Sequence, residues 1–228
     1  MSISSGRKWS ELMLCDLSDM GSIRDFVREF VNSHGHLDVL VHTAAVFTRN
    51  RVVTKEGLEL MFATNYLGPF LLTNLLLDSL RAGAPSRIIT LSAPSTTKID
   101  LADLQGEKHF SAFHAFGATK TADLVFTYKL AARLQGTGIT SNALFPGVMR
   151  TNLMRNAPLP ARLLTMLMGR DPKQAAERVC YLSSSKDLEG KTGFFFKRKE
   201  VGQSSAYSRN PYVQTKLWEL SSKLARLS

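Results

Sequence analysis

Short apolar runs alternate with longer amphipathic stretches along most of the chain. In residues 22–32 the apolar positions recur at the i, i+3, i+4, i+7 spacing of one helix face. Brief apolar runs bounded by turn residues predict strands instead. The predicted strands are residues 12–15, 39–41, 87–91, 139–145 and 193–196, and the predicted helices are residues 22–32, 58–80, 116–135, 172–183 and 211–226. Strands and helices that alternate in this way are typical of an α/β fold with a mostly parallel sheet.

Turn and capping residues define the ends of several elements. Asp171 and Pro172 form an N-cap followed by proline at the first helical position. Pro69 predicts a bend inside the long second helix. The chain contains no internal repeat, low-complexity tract or linker. We therefore expect residues 1–228 to form a single domain with an irregular segment at 1–11.

Composition narrows the class of protein without deciding its function. The chain has 228 residues, of which 44% are hydrophobic. A chain of this length buries roughly 70% of its unfolded surface, which excludes a disordered protein, a collagen-like repeat and a disulfide-dependent miniprotein. The 29 basic and 19 acidic residues leave a net charge of +10, which permits anionic partners. Because the longest basic run is residues 197–199, we expect no nucleic-acid partner.

The cysteines and the hydropathy of the chain indicate the cellular compartment in which we expect the protein. Cys15 and Cys180 are far apart, and neither has a CxxC partner, which favours a reducing compartment. The most apolar stretch, residues 67–80, is too short to span a bilayer and contains proline, asparagine and aspartate. The first residues do not resemble a secretory signal. We expect a cytoplasmic protein that at most associates with a membrane surface.

Several common functional motifs are absent from the sequence. None of the 15 glycines forms GxGxxG. The Gly-Lys-Thr triplet at 190–192 lacks the first glycine of a phosphate loop, because position 185 is serine. The five histidines have neither a helical i, i+4 partner nor a cysteine partner, so we expect no metal site. A GxSxG elbow is also missing, which excludes a standard α/β-hydrolase.

A series of segments nevertheless resembles one known family. Residues 62–77, FATNYLGPFLLTNLLL, are similar to the central helix of short-chain dehydrogenase/reductases, especially the retinol-dehydrogenase-like branch. Other family landmarks follow in order, namely Asp16-Leu17, the strand end 40–46, the strand 88–93, Lys120, Pro146-Gly147 with Thr151, and the final strand entry 187–196. The resemblance covers about residues 11–228 and implies a doubly wound, Rossmann-like sheet.

The resemblance also implies functional roles for particular residues. Asn65 would hold a water of a proton relay, and Lys120 would hold the ribose hydroxyls beside the nicotinamide. The cofactor, NAD or NADP, would be contacted by Asp16, Leu17, His42, Ala44, Lys120, Pro146 and Thr151. Asp16 is equally suited to cap the helix that follows it. The implied substrate is a small apolar alcohol or carbonyl compound, such as a retinoid, a lipid aldehyde or a steroid. Family members usually form homo-oligomers, here through helices 58–80 and 116–135.

Two catalytic positions depart from the family pattern. The tyrosine position is Phe116, which has no proton to donate, and the serine position is Ala93. Ser92 and Ser95 lie close by, but adjacent strand residues face opposite ways. The resemblance therefore implies an NAD(P)-dependent oxidoreductase with impaired catalysis; the alternative is a non-catalytic pseudoenzyme that serves as a binding or dimerisation module. A literal Tyr-x-x-x-Lys at 212–216 comes after the last predicted strand, outside the expected site.

The cofactor region departs from the family as well. The sequence starts at the family's third strand, and the motif Asn-Asn-Ala-Gly is replaced by residues 42–45, His-Thr-Ala-Ala. The family's glycine-rich turn holds the pyrophosphate at a helix N-terminus, so we expect weak cofactor binding. Either strand 12–15 pairs directly with strand 39–41, or the sequence is N-terminally truncated relative to the family.

The apolar stretch 157–168 allows two interpretations. It could form a lid over the substrate, or it could be a helix of the core. Both would explain its leucine and methionine content.

Overall fold

The computed structural model describes residues 10–227 of the chain. The helices are α1 Met20–Ser33, α2 Leu60–Phe62, α3 Gly68–Leu75, α4 Leu77–Ala82, α5 Ala112–Arg133, α6 Leu159–Met168, α7 Pro172–Ser184 and α8 Pro211–Leu224. The strands are β1 Val39–His42, β2 Ser86–Leu91, β3 Ile139–Phe145, β4 Phe195–Lys197 and β5 Glu200–Gly202. A π-helical turn, Ala63–Leu67, joins α2 to α3. Most of the predicted irregular segment 1–11 lies outside the described residues.

The five strands form one sheet in the order β1-β2-β3-β4-β5. Strands β1 to β4 run parallel, and β5 pairs antiparallel with β4. This arrangement confirms the predicted Rossmann-like α/β fold. Because parallel strands end at the same edge of a sheet, the segments that follow β1, β2 and β3 meet there.

The predicted strand 12–15 is wrong. Residues 10–16 form neither helix nor strand, and Leu12 and Leu14 are 86% and 85% exposed. Cys15 packs against the core as a single side chain of an extended segment. Among the described strands β1 pairs with β2 alone, so β1 is an edge strand and residues 12–15 do not pair with it. An apolar run without a neighbour to hydrogen-bond cannot become a strand.

The predicted strand 193–196 corresponds to β4, but it is not the last strand of the sheet. Strand β5 follows it across a turn at Arg198, whose φ is +64°. Residues 197–200 are all charged. The alternation of apolar and polar residues that indicates a strand is therefore missing from this hairpin.

Capping residues determine where the helices begin. α1 begins at Met20 because the Asp19 side chain accepts hydrogen bonds from two backbone N–H groups of the first turn, at 2.9 and 3.2 Å. The capping role considered for Asp16 therefore belongs to Asp19. α7 begins at Pro172 after an Asp171 cap, as predicted.

The predicted helix 58–80 is interrupted twice, first by the π-helical turn and then at Leu76, between α3 and α4. Gly68, the first residue of α3, packs directly on the backbone of Leu17. A Cβ at position 68 would overlap the Leu17 carbonyl oxygen, so glycine is required for this close approach. The contact holds the segment before α1 against the central helix.

Helix α8 covers part of the outer face of α3 and α5. The centroid of the Trp218 ring lies 5.0 Å from that of Phe70 and 6.0 Å from that of Phe126. The hydroxyls of Tyr66 and Ser221 form a buried hydrogen bond of 2.8 Å. The two helices expected to form a homo-oligomer interface are therefore packed in part against α8 of the same chain.

Helix α6 lies on the surface, and none of its residues is buried. The interpretation of residues 157–168 as a core helix is therefore wrong. No helix within residues 10–227 has both the length and the apolar character needed to cross a membrane.

Candidate active site at the carboxyl edge of the sheet

Asn65 connects three parts of the candidate site. It lies in the π-helical turn and is 2% exposed. Its Oδ1 accepts the Val46 N–H at 2.7 Å, and its Nδ2 donates to the Val46 carbonyl at 3.0 Å and to Thr119 Oγ1 at 3.3 Å. π turns are frequent at functional sites, and this one directs Asn65 toward the segment after β1 and toward α5. Both amide hydrogens are used within the protein, so the remaining lone pair of Oδ1 is the group available to a water.

Phe116 lies on α5 one turn before Lys120. Its half-buried ring meets the Phe47 ring edge-to-face, with the centroids 5.7 Å apart. The Lys120 Nζ lies 6.0 Å from the centroid of the Phe116 ring. The ring and the ammonium group thus share one face of α5, as the i, i+4 spacing requires. The ring has no hydroxyl, so it cannot take part in proton transfer.

Lys120 has a buried partner that the sequence analysis did not identify. Its Nζ donates to Asp123 Oδ2 at 2.8 Å and to the Leu91 carbonyl at 3.2 Å. The side chains of Lys120 and Asp123 are 9% and 2% exposed. Burial raises the pKa of Asp123 to about 6, although the Lys120 ammonium acts in the opposite direction. At neutral pH the two groups form an ion pair, and this pair competes with the expected bonds from Lys120 to a ribose.

Neither neighbouring serine replaces the hydroxyl that is missing at Ala93. The Ser92 hydroxyl is buried and donates to the Lys120 carbonyl at 2.8 Å. The Ser95 hydroxyl donates to the Gly117 carbonyl at 2.8 Å. Both serines therefore attach the segment after β2 to the first turns of α5. Ala93 is half-buried between them and has no polar side-chain group.

His42, the last residue of β1, and Ala44, two residues later, lie in different environments. His42 is 7% exposed and its Nε2 lies 2.7 Å from Thr73 Oγ1. Because the Thr73 hydroxyl already donates to the Pro69 carbonyl at 2.7 Å, it accepts the hydrogen bond from His42. Burial lowers the pKa of His42 to about 4, so the ring is neutral at pH 7. His42 thus points into the protein, whereas Ala44 is exposed at the edge of the sheet.

We expect the buried His42 to make the protein sensitive to mild acid. Its pKa is about 4 when folded and about 6.5 when unfolded, so its contribution to stability is present above pH 6.5 and is lost as the pH falls toward 4. The loss amounts to about 3 kcal/mol of unfolding free energy. Asp123, whose pKa is raised, acts in the opposite direction between its unfolded value and about 6. The difference in urea-unfolding free energy between wild type and His42→Gln isolates the histidine. This difference should decline from neutral to mildly acidic pH, and a constant difference would show that His42 does not titrate as described.

Asp16 and Leu17 lie in the turn before α1. Asp16 is exposed, and its Oδ1 accepts the Ser18 N–H at 2.9 Å and the Ser18 hydroxyl at 2.7 Å. Leu17 packs against the core, next to Gly68. These contacts stabilise the turn itself, and both involve Oδ1 of the exposed Asp16.

The loop after β3 contains the remaining expected cofactor residues. Gly147 has a φ of +99°, a conformation that favours glycine. The Pro146 carbonyl accepts a hydrogen bond from Arg178, an α7 residue that is 8% exposed. Thr151 is exposed and accepts the Leu153 N–H at 3.4 Å. The role of Arg178 is not evident from the sequence, because an isolated arginine on an amphipathic helix usually lies on the solvent face.

The Tyr-x-x-x-Lys sequence at 212–216 is remote from this edge. Tyr212 is 71% exposed at the start of α8. Lys216 lies 3.5 Å from Glu219 in an exposed ion pair. The two residues belong to the helix that covers α5, in agreement with their exclusion from the site.

The described residues fit the nicotinamide half of a dinucleotide better than its phosphates. Asn65, Lys120 and the Gly147 backbone surround the ends of β1, β2 and β3. The buried Thr90 hydroxyl at the end of β2 has no hydrogen-bond partner within the described residues and could bind a polar ligand atom. The sequence has no GxGxxG turn to receive a pyrophosphate.

The comparisons with known proteins all indicate the same protein family. The sequence profile of the short chain dehydrogenase family matches residues 6–160. Retinol dehydrogenase 14 of Mus musculus is 37% identical over 214 residues, which are 90% of this chain and 64% of that protein. Retinol dehydrogenase 14 of Homo sapiens is 34% identical, with 93% and 66% of the two chains covered. Retinol dehydrogenase 13 of Mus musculus is 39% identical, with 93% and 67% covered. The chain thus spans slightly less than two thirds of the length of the first two relatives.

Solved structures show the same fold. An uncharacterized protein from Mycobacterium paratuberculosis superposes with a TM-score of 0.69 at 27% identity, covering 93% of this chain and 74% of that chain. A short chain dehydrogenase from Burkholderia cenocepacia in complex with NADP superposes with a TM-score of 0.59 at 20% identity, covering 86% and 75%. At this lower identity the likeness concerns the fold alone.

Proposed function

This chain belongs to the short-chain dehydrogenase family, and we propose that it is an NAD(P)-dependent oxidoreductase whose proton-transfer step is impaired. The observation that carries this proposal is the Phe116 ring, which lies 6.0 Å from the Lys120 ammonium at the position expected for the tyrosine. The assay of the Phe116→Tyr and Ala93→Ser substitutions described in the Discussion tests it.

The reaction moves a hydride and a proton between an alcohol and a carbonyl compound. When bound, NAD or NADP would supply or accept the hydride. A hydroxyl of the protein would have to exchange the proton with the substrate oxygen, and neither Phe116 nor Ala93 has one. Asn65 can still hold a water through its free Oδ1 lone pair, which leaves solvent as a slow source of protons.

We propose an apolar alcohol or carbonyl compound as the substrate, such as a retinoid, a lipid aldehyde or a steroid. Phe47, Phe116, Leu153 and Met154 form part of an apolar cluster next to the site. Helix α6 follows this cluster, and its inner face, where Ala161 packs against the cluster, is the proposed lid. The relatives named retinol dehydrogenases support the same class of substrate.

Residues 1–228 alone should bind the cofactor weakly, because they contain no GxGxxG turn to receive its pyrophosphate. Three missing charge-assisted hydrogen bonds to the pyrophosphate, at about 1.5–3 kcal/mol each, would weaken binding about a thousandfold or more. Calorimetric titration with NADH and with NADPH should give dissociation constants well above micromolar. As a control, Lys216→Met should leave the affinity unchanged, because Lys216 lies in an exposed ion pair with Glu219 on α8, away from the site. A low-micromolar constant for either nucleotide would refute this prediction.

A second candidate is a non-catalytic binding or dimerisation module. It is favoured by the fact that the polar groups nearest the site, on Ser92, Ser95 and Lys120, are all bonded to other parts of the protein. The two candidates differ in one outcome. The impaired enzyme regains turnover when the two hydroxyls are restored, whereas a binding module does not.

We also propose that the chain self-associates and resides in the cytoplasm. The outer edge of β1 has no strand partner within residues 10–227, so this edge is a better candidate interface than the helices covered by α8. The support for this location is that Cys15 and Cys180 are both free, a state that a reducing compartment favours.

A further inference from the structure

Helix α6 presents its large apolar side chains to solvent. Leu159, Leu163, Leu164, Met166, Leu167 and Met168 are between 48% and 84% exposed. The residues that face the protein are smaller. Ala161 packs against the apolar cluster that contains Phe47 and Phe116, and Thr165 is half-buried. An amphipathic surface helix normally does the opposite and turns its apolar face to the core. We call the six exposed residues the α6 apolar surface.

Arginines are the only charged residues along the chain from 150 to 170, the stretch that contains this helix. Arg150, Arg155, Arg162 and Arg170 are all exposed, and no acidic residue occurs between Asp123 and Asp171. An exposed apolar helix flanked by arginines combines the two features that attract a protein to an anionic bilayer, namely insertion of apolar side chains and attraction to lipid phosphates. The net charge of +10 acts in the same direction.

We propose that α6 docks the protein on an anionic lipid membrane, with the α6 apolar surface inserted among the lipids and the four arginines at the headgroups. Leu159, Leu163, Met166 and Leu167 follow the i, i+4, i+7, i+8 spacing and therefore enter the membrane together. The helix has only ten residues, Leu159–Met168, so it lies in the plane of the interface. This docking does not depend on cofactor binding or turnover.

The test is sedimentation of the purified full chain with phospholipid vesicles in the absence of cofactor. Vesicles of phosphatidylcholine with about a third phosphatidylserine should bind the wild-type protein, and vesicles of phosphatidylcholine alone should bind it at least about tenfold more weakly. The double substitution Leu163→Asp and Leu167→Asp should reduce binding to the anionic vesicles about tenfold or more. Both side chains are exposed, so the fold should survive, which circular dichroism verifies.

Two further variants identify the cause of binding. Tyr212→Asp with Val201→Asp introduces the same charge at exposed apolar positions on α8 and β5, and should bind like wild type. Arg155→Gln with Arg162→Gln should weaken binding to anionic vesicles more than to neutral ones. The proposal is overturned if wild type does not bind anionic vesicles, or if the α6 double variant binds as well as wild type. It is also overturned if the α6 substitutions instead convert a dimer to a monomer without changing vesicle binding, because the surface would then be covered by a second copy of the chain.

Discussion

Restoring both hydroxyls by Phe116→Tyr with Ala93→Ser should raise turnover about 10²–10⁴-fold over wild type at saturating cofactor. A phenol on the Phe116 ring would stand near the Lys120 ammonium, which would favour its ionised form. Phe116→Tyr alone should give part of the gain. Ala93→Ser alone should give almost none, because the proton donor would still be missing. The assay follows nicotinamide absorbance with retinal or a medium-chain aldehyde and millimolar cofactor.

Phe113→Tyr is the matched control for this experiment. Phe113 lies on the same helix, and its ring centroid is 5.2 Å from that of Phe47, but it is more exposed and is not in the i, i+4 relation to Lys120. The phenol introduced there should leave turnover unchanged. An equal gain in turnover from Phe113→Tyr and from Phe116→Tyr would mean that the position of the hydroxyl does not matter. That result would contradict the assignment of Phe116 to the proton-donor position.

Removing the carboxylate of Asp123 should destabilise the protein strongly. Asp123→Ala leaves the buried Lys120 ammonium without its countercharge, at a cost of about 3–5 kcal/mol of unfolding free energy. Replacing both partners, as in Lys120→Met with Asp123→Leu, removes two buried charges and should be close to neutral or stabilising. Urea denaturation at neutral pH measures both variants.

An exposed pair with the same spacing provides the comparison. Arg81 and Asp78 are 2.6 Å apart on α4, with side chains 51% and 94% exposed. Asp78→Ala should cost only about 0–1 kcal/mol, because solvent screens exposed pairs. If Asp123→Ala were as mild as Asp78→Ala, Lys120 would not depend on Asp123, and the inferred competition with the ribose would be wrong.

The elements that were predicted correctly carry their signals locally. The strand β3 and the Asp171 cap of α7 follow from residues within a few positions of each other. The segment 12–15 has an equally apolar local pattern and is not a strand, because strand formation depends on a neighbour that the pattern does not contain. Strand β5 shows the opposite case: its local pattern is charged and does not indicate a strand, but β4 provides the neighbour with which it pairs.

The residues of the candidate site could also be identified from the sequence only in part. Phe116 and Ala93 could be placed from the sequence because a resemblance aligns them. The partner of Lys120 could not, since Lys and Asp at i, i+3 are most often an exposed pair and only the packing around α5 buries them. Likewise, the leucines and methionines of α6 are visible in the sequence, but their exposure depends on what lies across from the helix.

The most direct test of the central claim is the turnover of the wild-type chain itself, at millimolar NADPH or NADH with retinal, measured beside the Phe116→Tyr and Ala93→Ser double variant. Wild type should stay close to the rate without protein, and the double variant should rise clearly above it. Wild-type turnover equal to that of the double variant would show that the chain has another proton donor. It would contradict the assignment of Phe116 to the position of the missing acid.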